Sequence, residues 1–237
     1  MHRFNSSLLL SGLMAGAATV TPMAASAAVI PLAEDYLISP TGFNSNNNGG
    51  SGFRVGNTGS GNLRNVAFAF QLPDFGAVAA PFTSASLTSQ LFSKTTTTPT
   101  YDGDVYGLNA TTPTLDVDPA PTGLVAFAGA SDASSDFSLV IESYYTPTTP
   151  DATPVTASGT LANLLNALYA NGAGAGEFFY LRISPETQVN NTGYFVLGQE
   201  DPSFDESTFI TYTVIPEPAS LALAAFAGLG LVRRRQA

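Results

Sequence analysis

Short runs in which apolar and small polar residues take turns recur along this chain, and they dictate a sheet. Val66, Phe68, Phe70 and Leu72 alternate with Asn65, Ala67, Ala69 and Gln71. Ala85, Leu87, Ser89 and Leu91 alternate with Ser84, Ser86, Thr88 and Gln90. A period of two sends successive side chains to opposite faces of a strand, so one face can be buried. Further strands are expected at 35–38, 53–55, 104–108, 124–128, 137–145, 177–184, 194–197 and 209–214. Clusters of Gly, Asn, Pro, Ser and Thr at 44–52, 95–100 and 146–154 supply turn chemistry between them. The pattern predicts a mostly β fold, a two-sheet antiparallel sandwich of jelly-roll-like design. One segment departs from it. Leu161, Leu164, Leu165 and Leu168 follow the i, i+3, i+4, i+7 rule of an amphipathic helix. Ser158 or Thr160 can cap its start and Asn171-Gly172 its end, and the leucines are expected to be core contacts.

What the chain lacks narrows the chemistry. It has no cysteine, which removes disulfides, thiolate nucleophiles and zinc fingers. Its one histidine is His2, in a segment expected to be cut off. Without it, the mature chain has no Ser-His-Asp triad and no imidazole metal ligand. We therefore expect no enzyme.

Both ends read as transport segments. Arg3 precedes an apolar run from Leu8 to Val20, then Pro22 and the small-residue site Ala25-Ser26-Ala27. That is the layout of a secretory signal peptide over residues 1–27, cut after Ala27 or Ala28; a buried helix or membrane anchor is the alternative. At the other end Pro216-Glu217-Pro218 is followed by an apolar stretch, Ala219 to Val232, and by Arg233, Arg234 and Arg235. As a helix that stretch spans only ~21 Å, short of a ~30 Å hydrocarbon core. Counted from Val214 it reaches ~28 Å, enough for a transmembrane helix with some thinning. The arginines hold the tail on the cytoplasmic side, and the prolines keep Glu217 extended outside the helix. An ordinary tail anchor is the alternative.

The combination of Pro216-Glu217-Pro218, apolar helix and Arg cluster at 214–237 resembles the PEP-CTERM sorting signal. The resemblance implies processing by exosortase, a membrane cysteine transpeptidase, in bacteria of Gram-negative type that make exopolysaccharide. It implies export across the inner membrane, a transient hold in that membrane through residues 214–232, and then a place at the cell surface or outside the cell. Partners implied are exosortase and an exopolysaccharide or other cell-surface glycan.

Residues 28–213 remain as the β domain, a size that buries roughly 70% of its unfolded surface. In the stretch 28–215, 17 acidic residues face four basic ones, Arg54, Arg64, Lys94 and Arg182, a net charge of −13. Such a surface repels nucleic acid and anionic lipid and attracts divalent cations. Phe53-Arg54-Val55-Gly56-Asn57, Asn62-Leu63-Arg64-Asn65, residues 67–72 and Asp104-Val105-Tyr106-Gly107 together resemble the start of DNRLRE-type β-sandwich domains. Members are secreted, often polysaccharide-associated, and some bind carbohydrate.

Candidate sites follow. Asp102 with Asp104, and Asp116 with Asp118, place carboxylates at the spacing of a Ca²⁺ loop, with Gly103 letting the backbone turn; a solvated acidic loop is the alternative. Asp132 with Asp136, and Glu200, Asp201, Asp205 and Glu206, form further acidic groups. Arg64 and Arg182 can take a uronate or sulfate bidentately, or pair with a neighbouring carboxylate. Tyr106, with Tyr101, Tyr144 and Tyr145, can stack on sugar rings or lie half-buried in the sheet. The function expected is an exported, non-catalytic surface or matrix protein. The alternatives are a carbohydrate-binding module and a carboxylate-dependent polysaccharide hydrolase or lyase, which needs only two carboxylic acids.

Overall fold

The computed structural model describes residues 27–39, 42–45, 53–57, 63–75, 82–95, 99–108, 137–186, 193–197 and 208–215. Eleven strands and one helix occur among them, in the order β1 (Ala28–Ser39), β2 (Gly42–Ser45), β3 (Phe53–Asn57), β4 (Leu63–Gln71), β5 (Phe82–Lys94), β6 (Gly103–Leu108), β7 (Phe137–Tyr145), β8 (Thr153–Ala157), α1 (Leu161–Ala170), β9 (Phe178–Pro185), β10 (Tyr194–Leu197) and β11 (Phe209–Val214). The period-two segments at 65–72 and 84–91 form β4 and β5, as their alternation predicts. Two strands appear where turn composition predominated. β2 overlaps the Asn-rich cluster, and β8 carries Pro154. Among the described residues β8 pairs only with β5, and an edge tolerates a missing backbone donor. The strand expected at 124–128 lies outside the described residues.

All strand pairings are antiparallel. Followed from strand to strand they close on themselves through β1, β11, β5, β10, β3, β4 and back to β1. The fold is thus mostly β with one helix among the described residues, and its six-strand ring is barrel-like where two separate sheets were expected. Closure depends on β1 changing partners. Ala28–Pro31 pair with β11, whereas Leu32–Ile38 pair with β4, with a register shift between Leu32 and Glu34. From β4 the network runs on through β9 and β6 to β7.

β10 and β11 lie on one edge of β5. Leu87 and Thr88 have β11 on one side and β8 on the other, and Leu91 has β10 on one side and β8 on the other. Leu197 faces Leu91 and Phe209 faces Thr88. Only the positions opposite Ser89 and Gln90 separate these two pairings on β5, so β10 and β11 act as one interrupted strand; residues 198–207, inserted there in sequence, lie outside the described residues.

The ring encloses the main core, which includes Phe53, Val55, Phe68, Phe70, Leu87, Leu91, Phe179, Leu181, Phe195 and Ile210. The helix adds Leu161, Leu164, Leu165 and Leu168, all buried. Each such leucine stabilises the fold by about 1.5–3 kcal/mol relative to an exposed one. Thr160 sits at the N-cap position without making a side-chain cap; its hydroxyl turns to the carbonyls of Leu139 and Val140, both at 3.4 Å. The other end closes as predicted, with Ala173 N–H donating to Leu168 C=O beyond Gly172. A second buried group, Tyr36, Ile38, Ala67, Ala69, Phe178 and Tyr180, occupies the other side of β1, β4 and β9.

Among the described residues no helix is long and apolar enough to cross a membrane. Residues 216–237 lie outside the described residues. Val214, counted in sequence as the first residue of the transmembrane helix, is the last residue of β11.

Candidate functional site

β11 ends at Val214, where the expected sorting segment begins, and three sets of contacts fix it. Backbone pairing comes first. Tyr212 lies between Ala28 of β1 and Ala85 of β5, and Val214 still pairs with Phe82. Aromatic packing comes second. Phe82 meets Tyr212 at 5.2 Å between ring centroids, and Phe75 meets Phe82 at 5.2 Å and Tyr212 at 5.9 Å. Tyr169 of α1 tilts against Phe75 and Phe82 and donates its hydroxyl proton to Pro73 C=O. Third, the Asn166 amide accepts from Phe82 N–H and donates to Phe82 C=O, each at 2.9 Å. The helix thereby clamps the first residue of β5, to which β11 is paired. Ile215, the next residue after β11, is exposed.

The other end of the body lies at the same place. Ala27 is exposed immediately before β1, and Ala28 faces Tyr212. A cut after Ala27 leaves the β1–β11 ladder whole. Pro216, Glu217, Pro218, Arg233, Arg234 and Arg235 lie outside the described residues.

The candidate ligand residues Tyr106 and Arg182 come together, and they meet each other. They face one another across β6 and β9, and the Arg182 guanidinium lies 5.2 Å from the Tyr106 ring centroid. Both are buried, and burial lowers the Arg182 pKa to about 10. Arg64 lies apart from them, half-buried on β4 opposite Gly56. The other candidate stacking rings also face inward. Tyr101 bonds through its hydroxyl to Gly193 C=O. Tyr145 bonds to the buried Ser89 hydroxyl, and Tyr144 donates to Val155 C=O at 2.8 Å.

Asp104 is buried on β6 and is engaged by protein donors at both oxygens. Oδ1 accepts from Ser143 N–H at 2.7 Å, and Oδ2 accepts from the Tyr106 hydroxyl at 3.1 Å. The reason is a bulge. Gly103 faces Tyr145 and Val105 faces Ile141, so Asp104 alone opposes Glu142, Ser143 and Tyr144. Ser143 has φ 52°, left-handed for a non-glycine residue. The carboxylate takes the N–H that the bulge strips from the ladder. Burial holds the Asp104 carboxyl above its usual range, against the pull of its two hydrogen bonds, with Asp102 and Glu142 adding repulsion. Asp102 beside it is half-buried. Among the described residues no three acidic or imidazole side chains converge as a metal site would require, and Asp116 and Asp118 lie outside those residues. Sequence reasoning flagged Asp104 for its spacing and missed the Asn166 clamp, which no periodicity signals.

Residues 214–236 match the PEP-CTERM protein-sorting motif. No curated protein matches the chain. The motif makes this an exported protein sorted by exosortase and anchored transiently in the membrane before processing. Its first residue, Val214, is also the last of β11, so no linker separates body from signal.

Proposed function

We propose that the protein is a non-catalytic component of the cell surface or extracellular matrix, associated there with exopolysaccharide, and that its body is a jelly-roll-like β scaffold. The observation that carries this reading is the sorting motif, continuous with the central strand β11. After processing, β11 stays held between β1 and β5, so removal of the tail leaves the body intact. The engagement of Asp104, Tyr106 and Arg182 in internal contacts supports a structural role over a catalytic one.

The test follows the protein through its host. Wild-type chain is expected in the extracellular polysaccharide fraction without its tail. Glu217→Ala, or removal of Arg233–Arg235, is expected to leave it in the membrane. Release of both variants at the wild-type level counts against exosortase sorting. Saturable stabilisation of the purified body by one defined sugar favours a carbohydrate-binding module instead. Release of reducing ends from a polysaccharide, abolished by one Asp or Glu substitution, favours a hydrolase.

A further inference from the structure

The C-terminal end of α1 carries a reactive pair. Of the chain's two Asn-Gly steps, Asn171-Gly172 is the one within the described residues. An asparagine side chain and the next backbone nitrogen can close a five-membered ring. A glycine in second place offers that nitrogen with no side chain to hinder the approach. Asn163 and Asn166, on the same helix, are followed by Leu164 and Ala167 instead. Asn171 and Gly172 are both exposed, and a side chain placed on Gly172 would meet nothing within 4 Å. The approach is sterically open.

The closed helix end opposes it. Asn171 is the C-cap residue, with φ −90° and ψ 9°. That ψ eclipses the Gly172 nitrogen with the nitrogen of Asn171 itself and turns it from the side-chain carbonyl carbon. Gly172 N–H donates to Tyr169 C=O at 3.1 Å and Ala173 N–H to Leu168 C=O at 3.0 Å, with Gly172 at φ 95°. These bonds close an exposed helix end that continues into Gly174 and Gly176. Helix ends open at far lower cost than the whole fold.

We propose that Asn171-Gly172 is a site of spontaneous backbone rearrangement, controlled by local opening of the end of α1. Once the two bonds break, the Gly172 nitrogen gives its proton to hydroxide and attacks Asn171 Cγ. A nitrogen–carbon bond forms, the bond from Cγ to the amide nitrogen breaks, and that nitrogen takes a proton from water and leaves as ammonia. Water then opens the succinimide at one carbonyl or the other, giving isoaspartate or aspartate at 171. The product does not suit the cap. A carboxylate now stands at the negative end of the helix, which has no basic residue in its last turn. Isoaspartate also lengthens the main chain by one carbon, so the N–H groups of residues 172 and 173 lose their register with the helix carbonyls. The last turn carries the buried Leu168, and Tyr169 packed on Phe75 and Phe82. The reaction loosens that packing and runs one way, so it records the age of the molecule.

The test incubates the full-length chain, in mild detergent at mildly alkaline pH, and maps its peptides by mass spectrometry. We expect the amide-to-acid mass gain at residue 171, with isoaspartate forming there several-fold faster than at Asn163 or Asn166. The rate in the folded chain should be about tenfold below that in denaturing urea, and unmoved by urea too dilute to unfold the body. Asn171→Gln should remove the signal, and Asn171→Asp, one product made permanent, should lower the thermal midpoint. A residue 171 that stays intact in the folded chain while the denatured chain reacts overturns the site. A rate that climbs through dilute urea in step with global unfolding overturns the local control. An Asn171→Asp midpoint equal to wild type overturns the loosening.

Discussion

Asp104 illustrates how much one side chain can decide. It supplies the acceptor that lets β7 bulge at Ser143, and the bulge lets the consecutive residues Tyr144 and Tyr145 both enter the core. Asp104→Ala leaves the buried Tyr106 hydroxyl and the part-buried Ser143 N–H without their acceptor and is expected to cost about 1–3 kcal/mol in urea unfolding. Asp104→Asn keeps an oxygen for Ser143 and should cost less. The two also differ in pH dependence. The native carboxyl holds its proton more tightly than the unfolded chain does, because burial raises its pKa from 3.8. Its contribution is therefore most favourable below 3.8 and falls as pH rises through the raised value. Asp104→Asn removes that slope, which unfolding measured at successive pH values will show. Ser89→Ala is expected to cost about 1–3 kcal/mol by removing the partner of the buried Tyr145 hydroxyl. The Asp-Gly-Asp spacing drew notice to Asp104 in the sequence, but its role was illegible there. A bulge sets one residue against three on a distant strand, and local periodicity carries no record of that.

At the level of elements, the amphipathic leucines and the alternating runs were legible because burial imposes their period directly. β8 was not, since Pro154 and threonines resemble a turn until β5 supplies a partner. β1 outran its expected four residues because a strand that changes partners midway interrupts its own alternation. The join between α1 and β7 is set by Gly159, at φ 47°, where an added methyl would overlap the Val140 carbonyl oxygen. Gly159→Ala is expected to destabilise the body by about 1–3 kcal/mol, read as a lowered urea midpoint with an unchanged m-value. The insertion between β10 and β11 yields a contrasting expectation. Replacing residues 198–207 by one residue, with Thr208 kept to accept from Leu32 N–H, preserves the register against Ser89 and Gln90 and should raise stability by about 1 kcal/mol through a shorter connection. Loss of the folded circular dichroism spectrum in that variant would show that β10 and β11 are not one interrupted strand.

For the whole molecule, the ring means that the proposed removal of both end segments would leave the body closed. The first and last strands are hydrogen-bonded to each other, and β11 is flanked on its other edge by β5. A cut after Ala27 and one at Pro216-Glu217-Pro218 would both fall outside the ladder that closes the fold, and a cut after Ala28 would cost it one pair. Composition had already separated the two ends from the acidic middle. The adjacency of those ends was beyond reach of the sequence, because it arises from pairing across nearly the whole chain. The most direct measurement is the intact mass of the protein recovered from its own host, taken from cytosol, membrane and medium. The account predicts an extracellular species beginning at Ala28 or Val29 and ending close to Pro216-Glu217-Pro218. A full-length polypeptide from Met1 to Ala237, found only in the cytosol, would contradict it.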